Sequence, residues 1–288
     1  MVWYNSSAMT TSYVLSAWRL LITPPAPGAA NMAMDEAILQ SLADGTGHPT
    51  LRFYQWTPPC LSLGYNQPWA DVDGSACAHL GYDWVRRPTG GRAILHRNEL
   101  TYSVVLSASE PRVAGGIVES YRRLSRGLLT GLRILGADVF QTQGQKTVNL
   151  QQGAACFDTP SNYEITVGGK KLIGSAQVRR RGQILQHGSL PLVGDLDGIF
   201  DCLRVSGDES LTSPPREQGS SLRPYACTLE QALERSVSFD EAAAALAQGF
   251  GDALNLRLEP GDLTEQERVL ADHLCQTRYG NEEWNHRV

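Results

Sequence analysis

Three stretches of this chain place reactive or ligand-binding residue types at usable spacings. The first is RRPTGGRAILH, residues 86–96. A glycine pair after a strand lets the backbone approach a ligand closely and present its amides. Arg86, Arg87 and Arg92 are the residue type that pairs with phosphate or carboxylate, and Thr89, Gly90, Gly91 and His96 share the loop. No GK[ST] follows and the glycines do not read GxGxxG, so this is not one of the common nucleotide loops. A plain turn with solvated arginines fits the spacing equally well. The second stretch is CFDTPSNYE, residues 156–164. Cys156 stands in a polar, turn-rich setting where a thiol is accessible and a nearby cation would favour the thiolate. On residue type alone, a lone cysteine is more often inert. The third is GGKKLIGSAQ, residues 168–177, followed by RRR at 179–181 and QHGS at 186–189. Lys170 and Lys171 face opposite ways on a strand, so one is solvated while the other can enter a pocket. Gly174, Ser175 and Ala176 again permit close backbone approach, and His187 and Gly188 follow on the next strand. The arginine run by itself reads as an exposed loop that attracts an acidic partner.

Stepping outward, these stretches need a sheet to hold them. Residues 14–22 alternate as a strand that Pro24, Pro25 and Pro27 end. Asn31 is expected to cap a helix reaching about residue 43. Strands are expected at 51–56, 60–64, 83–87, 101–106 and 184–192, with a tight hairpin at Gly168–Gly169. Leucines and their neighbours at three- and four-residue steps predict a long helix over 115–135. Further helices are expected at 228–235 and at 239–253, the second capped by Ser238 or Asp240. A last helix runs from Thr264 to about residue 278, where T-E-Q-E suits a capping box. Residues 206–226, rich in Ser, Pro and Gly, read as a mobile loop. Strands clustered between helices, without regular βαβ alternation, predict an α+β fold with a mixed, mostly antiparallel central sheet flanked by helices.

The whole chain has 288 residues and a net charge of −5, with 42% hydrophobic and 19% charged residues. That suits a soluble globular protein and argues against a general nucleic-acid coat. Six cysteines are scattered with no C-x-x-C, so neither a zinc ribbon nor a disulfide framework is expected, and no metal site is anticipated. The N-terminus lacks the basic start of a signal peptide, and no apolar run is long enough for a membrane span. A cytoplasmic protein without membrane or nucleic-acid partners is the expectation.

Taken jointly, NMAMDEAIL (31–39), LRFYQWTPPCLSLGYNQ (51–67), RRPTGGRAILH (86–96), GKKLIGSAQ (169–177) and LQHGSL (185–190) resemble the biotin/lipoate protein ligase superfamily, in its order. The closing YGNEEWN (279–285) is also similar to the end of the lipoate ligase catalytic unit. The resemblance implies a class II synthetase-like catalytic domain over 18–255, with a flexible extension at 1–17 and a helical segment at 256–288 packed on the same domain. Two chemistries compete within it. TGGRAILH, with Arg92 where the ligases usually carry a third glycine, and CFDTPSNYE both resemble the cysteine-dependent octanoyltransferases. These imply transfer of octanoyl from acyl carrier protein, through Cys156 and with Lys171 as pocket lysine, to a lysine of lipoyl domains of 2-oxoacid dehydrogenases or of glycine-cleavage H protein. Such transfer needs no cofactor. The alternative is an ATP- and magnesium-dependent lipoate ligase acting on the same lysine. A third reading, a carrier-binding module without chemistry, fits poorly with intact Cys156, Lys171 and glycine loops. The substrate would be bound through Arg86, Arg87, Thr89, Gly90, Gly91, Arg92, His96, Gly174, Ser175, Ala176, His187 and Gly188. A narrow apolar slot for eight carbons is expected near Gly90–Gly91 and Leu63–Gly64, and the arginines at 86–87, 92 and 179–181 would steer acidic partners.

Overall fold

The structure, a computed structural model, describes residues 13–141, 164–204 and 221–288. Cys156 and most of the Ser/Pro-rich stretch lie outside the described residues. The elements run β1 (Ser16–Ile22), α1 (Gly28–Ala43), β2 (Thr50–Tyr54), β3 (Cys60–Leu63), α2 (Gly74–His79), β4 (Asp83–Arg86), β5 (Ile94–His96), β6 (Glu99–Ser107) and α3 (Ile117–Ile134). They continue with β7 (Phe140–Gln141), β8 (Ile165–Val167), β9 (Lys170–Arg180), β10 (Gln183–Pro191), α4 (Leu229–Leu233), α5 (Phe239–Leu254), β11 (Leu256–Pro260), α6 (Glu265–Leu274) and α7 (Glu282–Asn285).

Eight strands form one mixed sheet in the order β11-β1-β2-β6-β10-β9-β8-β7. β1 pairs in parallel with β11 and β2, and the remaining pairings are antiparallel. A smaller sheet, β4-β3-β5, carries the first glycine loop. The side-chain alternation of β6 shows how the layers form. Tyr102, Val104 and Leu106 pack toward α3 and α5 in the main core, while Val105 packs against Ile38 and Leu39 of α1 on the other face. α1 in turn lies against α6 and the smaller sheet through Met32, Ala33, Ala271 and Leu274.

Most expected elements are present, and the differences have local causes. α1 starts at Gly28, and Asn31 sits inside it, fully buried. Its amide donates to the carbonyls of Ala26 and Gln55 (3.1 and 2.9 Å) instead of capping. It thereby ties the start of the helix to the end of β2. The α+β boundary at residue 18 also moves. β1 begins at Ser16, and buried Tyr13 joins the main core, so residues 13–17 belong to the fold. β11 was not expected. It is a short edge strand that follows directly on α5 and ends at Pro260, and its Arg257 and Glu259 pair with each other at the surface. Thr264 does close a capping box with Glu267, but α6 ends at Leu274 and continues as a π-helical turn over Cys275–Tyr279.

α3 and α5 cross with unusually little room. A Cβ on Gly249 would lie 2.2 Å from the Gly131 amide nitrogen and 2.5 Å from the Gly127 carbonyl oxygen. Backbone cannot yield as a flexible side chain can. Gly249→Ala is therefore expected to destabilise the protein by about 1–3 kcal/mol through overpacking, read as a lowered urea midpoint. An unchanged midpoint would show that the helices can move apart without cost.

Candidate active site

The sheet register gathers the candidate residues. Ser103 of β6 faces His187 of β10, which faces Ala176 of β9. One pair along, Tyr102, Gly188 and Ser175 align, and then Thr101, Ser189 and Gly174. Beside this patch lies a mainly apolar cavity of about 420 Å³. Met32, Tyr54, Trp56 and Ile94 supply its hydrophobic wall, and Gly91, Gly174, Ser175, Ala176 and Gly188 bring backbone to it. Arg87, His96 and His187 also line it. Met32 and Tyr54 are almost wholly buried while Gly90 and Gly91 are exposed, so the cavity runs inward from the glycine loop. β8 pairs with β9 only as far as Ile173, which leaves one edge of β9 free of that strand at Gly174–Ala176.

The glycine loop is seated by backbone contact and by one arginine. A Cβ on Gly64 would fall 1.8 Å from the Gly91 carbonyl oxygen, and Gly91 itself has φ +93°. Only glycines allow the end of β3 and the loop to meet this closely. Arg87 donates to the Ser62 carbonyl (2.9 Å) on one side and to the carbonyls of Gly90 and Arg92 (2.8 and 2.7 Å) on the other. Arg86 turns away from the cavity. Its guanidinium donates to the carbonyls of Asn285 (2.8 Å), Gly64 (2.8 Å) and Gln67 (2.5 Å). The Asn285 side chain accepts from the Arg86 amide, and the Trp284 indole donates to the Arg86 carbonyl. The closing YGNEEWN segment therefore clamps β4. Arg86 and Arg87 are both buried, at 0% and 3% exposure, so neither offers charge to a docking partner as expected from the sequence.

Two buried carboxylates organise the polar side of the cavity. Asp35 of α1 accepts from Arg52 Nη1 (2.8 Å), Tyr54 Oη (2.9 Å) and Ser103 Oγ (2.8 Å), and lies 3.5 Å from His187 Nδ1. Burial pushes the Asp35 carboxyl up, but Arg52 and His187 outweigh it and hold it below its ordinary value. Burial pushes His187 down against the pull of Asp35, which favours the neutral imidazole. Its Nε2 is 2.6 Å from Thr89 Oγ1, linking α1 and β10 to the glycine loop. The second carboxylate, Glu99, lies 2.9 Å from His96 Nδ1 and accepts from Thr101 and Ser189. It too is held low, because His96 and these hydroxyls overcome the effect of burial. His96 Nε2 is 2.7 Å from Ser62 Oγ, and its ring stacks on Trp56 at 4.0 Å.

Lys171 is buried and forms a 2.6 Å ion pair with Glu164, the last residue of the CFDTPSNYE stretch. Its backbone bridges to Tyr225 and Cys227. Lys170 is exposed, and Lys171 stands outside the lining of the cavity. Burial pushes the Cys60, Cys227 and Cys275 thiols up, which makes these three poor nucleophile candidates. Asp35, Arg52, Glu99 and Trp56 were not among the residues singled out from sequence. Asn31 and Asp35, one helical turn apart on an otherwise apolar stretch, were a signal for such a network.

A buried polar grid beside a mainly apolar cavity, set on this mixed sheet, defines a catalytic domain of the lipoate ligase type. Residues 27–251 match the family described as lipoyl protein ligase A/B catalytic domain, and the chain belongs to that family. Its similarity to proteins named octanoyltransferase LipM runs nearly full length. It is 46% identical to that of Kyrpidia tusciae, covering 95% of this chain and 100% of the relative, and 38% identical to that of Bacillus subtilis, covering 94% and 98%. Among solved structures it resembles a bipartite lipoate protein ligase from Thermoplasma acidophilum (TM-score 0.77, 29% identity, 94% of this chain and 96% of that one). It also resembles a lipoate-protein ligase A bound with ATP (TM-score 0.75, 30% identity, 94% and 98%).

The polar grid makes two predictions. Arg52→Met strands the Asp35 carboxylate in the interior and is expected to cost about 3–5 kcal/mol, measured by urea unfolding. A cost below about 1 kcal/mol would mean that the pair is not central to stability. The pH dependence has a defined sign. Asp35 and Glu99 have lowered native values, so their contribution is present above the unfolded carboxylate range, about pH 4, and lost as pH falls through their native values. His187 is also lowered, so the unfolded chain binds its proton first and stability falls as pH drops below about 6.5. The unfolding midpoint should decline between about pH 7 and 5, and His187→Gln should flatten that limb. An identical slope in the variant would contradict the assignment.

Proposed function

We propose that the protein moves an octanoyl group from acyl carrier protein, through a thioester on Cys156, to a specific lysine of lipoyl domains or glycine-cleavage H protein. The observation that carries this reading is near-full-length similarity to octanoyltransferases, at 38% to 46% identity over the relatives cited. The apolar cavity supports it. Each buried CH₂ of an octanoyl chain contributes ~0.8 kcal/mol, so the chain anchors itself without needing charged recognition.

The chemistry balances without ATP or another cofactor. The donor is a thioester and is already activated. The Cys156 thiolate adds to the octanoyl carbonyl, the bond to the carrier sulfur breaks, and the carrier leaves as a thiol after taking up a proton. The acceptor lysine, as the free amine, then attacks the acyl-cysteine. The carbon–sulfur bond breaks, an amide forms and the thiolate returns. Lys171, as the ammonium that Glu164 holds, is assigned to favour the thiolate and to donate the proton that the departing carrier sulfur takes up; the neutral amine it then becomes accepts the proton released by the incoming lysine. Backbone amides at Gly174–Ser175 are assigned to the oxyanion. The protein acts in the cytoplasm, where its partners reside. Among the described residues no helix is long and apolar enough to cross a membrane.

The test mixes the protein with octanoyl carrier protein and a lipoyl domain without ATP and weighs the domain. Octanoylated domain is expected, and Cys156→Ser should lower turnover by at least about 10³-fold while the protein still folds. Modification from free lipoate that requires ATP and survives Cys156→Ser would establish a ligase instead.

A further inference from the structure

The surface beside the cavity mouth carries a cluster of arginines built largely by the C-terminal segment. Tyr65 follows directly on Gly64, and its amide donates to the Thr89 carbonyl (2.8 Å), so it adjoins the glycine loop. Arg287 stacks 3.6 Å over the Tyr65 ring and 4.5 Å from the Trp284 ring. It also donates to the Tyr65 carbonyl (3.0 Å). Arg180, at the end of β9, lies 5.3 Å over the same Tyr65 ring. Arg278 stacks 3.8 Å over Trp284 and pairs with Glu36. Arg181 completes the group from an exposed turn and lines a surface cleft with Arg180, Arg278 and Glu36.

Glu36 answers Arg278. Among the described residues, none of Arg180, Arg181 and Arg287 forms an ion pair. These three guanidiniums therefore gather positive charge on one part of the surface of a chain whose net charge is −5. A hydrogen bond from Arg287, then the charges of Arg287, Arg180 and Arg278, hold the exposed Tyr65 hydroxyl below its ordinary value, which reports the same positive field. Guanidinium planes stacked on rings keep their N–H edges free and pre-oriented, and those edges fit carboxylates and phosphates.

We infer that Arg180, Arg181 and Arg287, set around Tyr65, form the docking surface for the acidic acyl carrier protein that delivers the octanoyl group. The inference rests on the octanoyl-transfer reading. Of the two protein partners, the donor is the better match. Its acyl group hangs on an arm whose phosphodiester approaches the same mouth, so it offers both anions that a guanidinium fork binds. The acceptor lysine brings a positive charge. A localised positive patch on a negative protein also orients encounter, because the remaining surface repels the same partner.

The test uses the full chain with three probes: octanoyl carrier protein, octanoyl-pantetheine (which lacks protein and phosphate) and a lipoyl domain. In Arg180→Ala/Arg287→Ala, KM for octanoyl carrier protein should rise about tenfold at low salt, and the difference should shrink as salt is added. The kcat with octanoyl-pantetheine and the KM for the lipoyl domain should not move. Arg181→Glu, on an exposed turn clear of both rings, should weaken the carrier in the same way and guards against a folding defect in the double variant. Unchanged carrier KM in both variants would overturn the inference. So would an equal loss with octanoyl-pantetheine, or a loss confined to the lipoyl domain. Direct titration of labelled octanoyl carrier protein onto the wild-type and variant chains separates this from the catalytic reading. If the wild type binds the carrier through these arginines yet transfers nothing, only the octanoyl-transfer reading fails.

Discussion

The site depends on one buried ion pair. Arg52 on β2 and Asp35 on α1 meet at 2.8 Å with both side chains wholly removed from water. Such a pair is tolerable only when the remaining donors and acceptors find partners. Here they do. Arg52 also donates to Asn31 Oδ1 (2.7 Å) and to Thr23 Oγ1 (3.1 Å), while Asp35 gathers Tyr54 and Ser103. The helix is consequently fixed on the sheet in one register. His187 is held between Asp35 and Thr89, and the glycine loop inherits its position from them. An all-apolar contact would bind α1 to the sheet as firmly but would permit sliding.

The glycine loop shows a different division of labour. Arg86 and Arg87 belong to a sequence that reads as a ligand-binding cluster, yet both are buried and spend most of their visible hydrogen bonds on backbone carbonyls. Their task is to shape the loop and anchor the C-terminal segment. That leaves Gly90 and Gly91 at the mouth, with the accessible positive charge on the exposed Arg181 and Arg287 and the half-buried Arg180. The arginines that shape the loop are thus a different set from those proposed to meet the carrier, although both groups lie close in space.

Much of this was legible before any coordinates. Helices such as α3 announce themselves by periodicity, because one face is buried, and β6 announces itself by a run of strand-forming residues buried on both faces. The three chemistry-bearing stretches could be placed on strands and loops, and their joint order pointed to the family. What sequence reading could not supply was pairing across the chain. Glu99 looks like an ordinary strand-start glutamate until His96, Thr101 and Ser189 are brought around it. Asn31 carries the signature of an N-cap, and its amide is instead taken up by the Ala26 carbonyl and by the Gln55 carbonyl that the fold brings beside it. Arg287, two residues from the residue that clamps β4, has no local pattern at all, since its position over Tyr65 and Trp284 arises only in the fold. β11 is hard to read from sequence for another reason: its Leu-Arg-Leu-Glu alternation is short, follows directly on α5 and ends at Pro260.

The central proposal is that the acyl group is carried on Cys156 as it passes from donor to acceptor. The most direct measurement is the intact and peptide mass of the protein after incubation with octanoyl carrier protein, without ATP and without acceptor. A single octanoyl adduct on the Cys156 peptide, removed when a lipoyl domain is added, is the result this account predicts. A chain that remains unmodified, or that carries the octanoyl group on another residue and still transfers it, would contradict it.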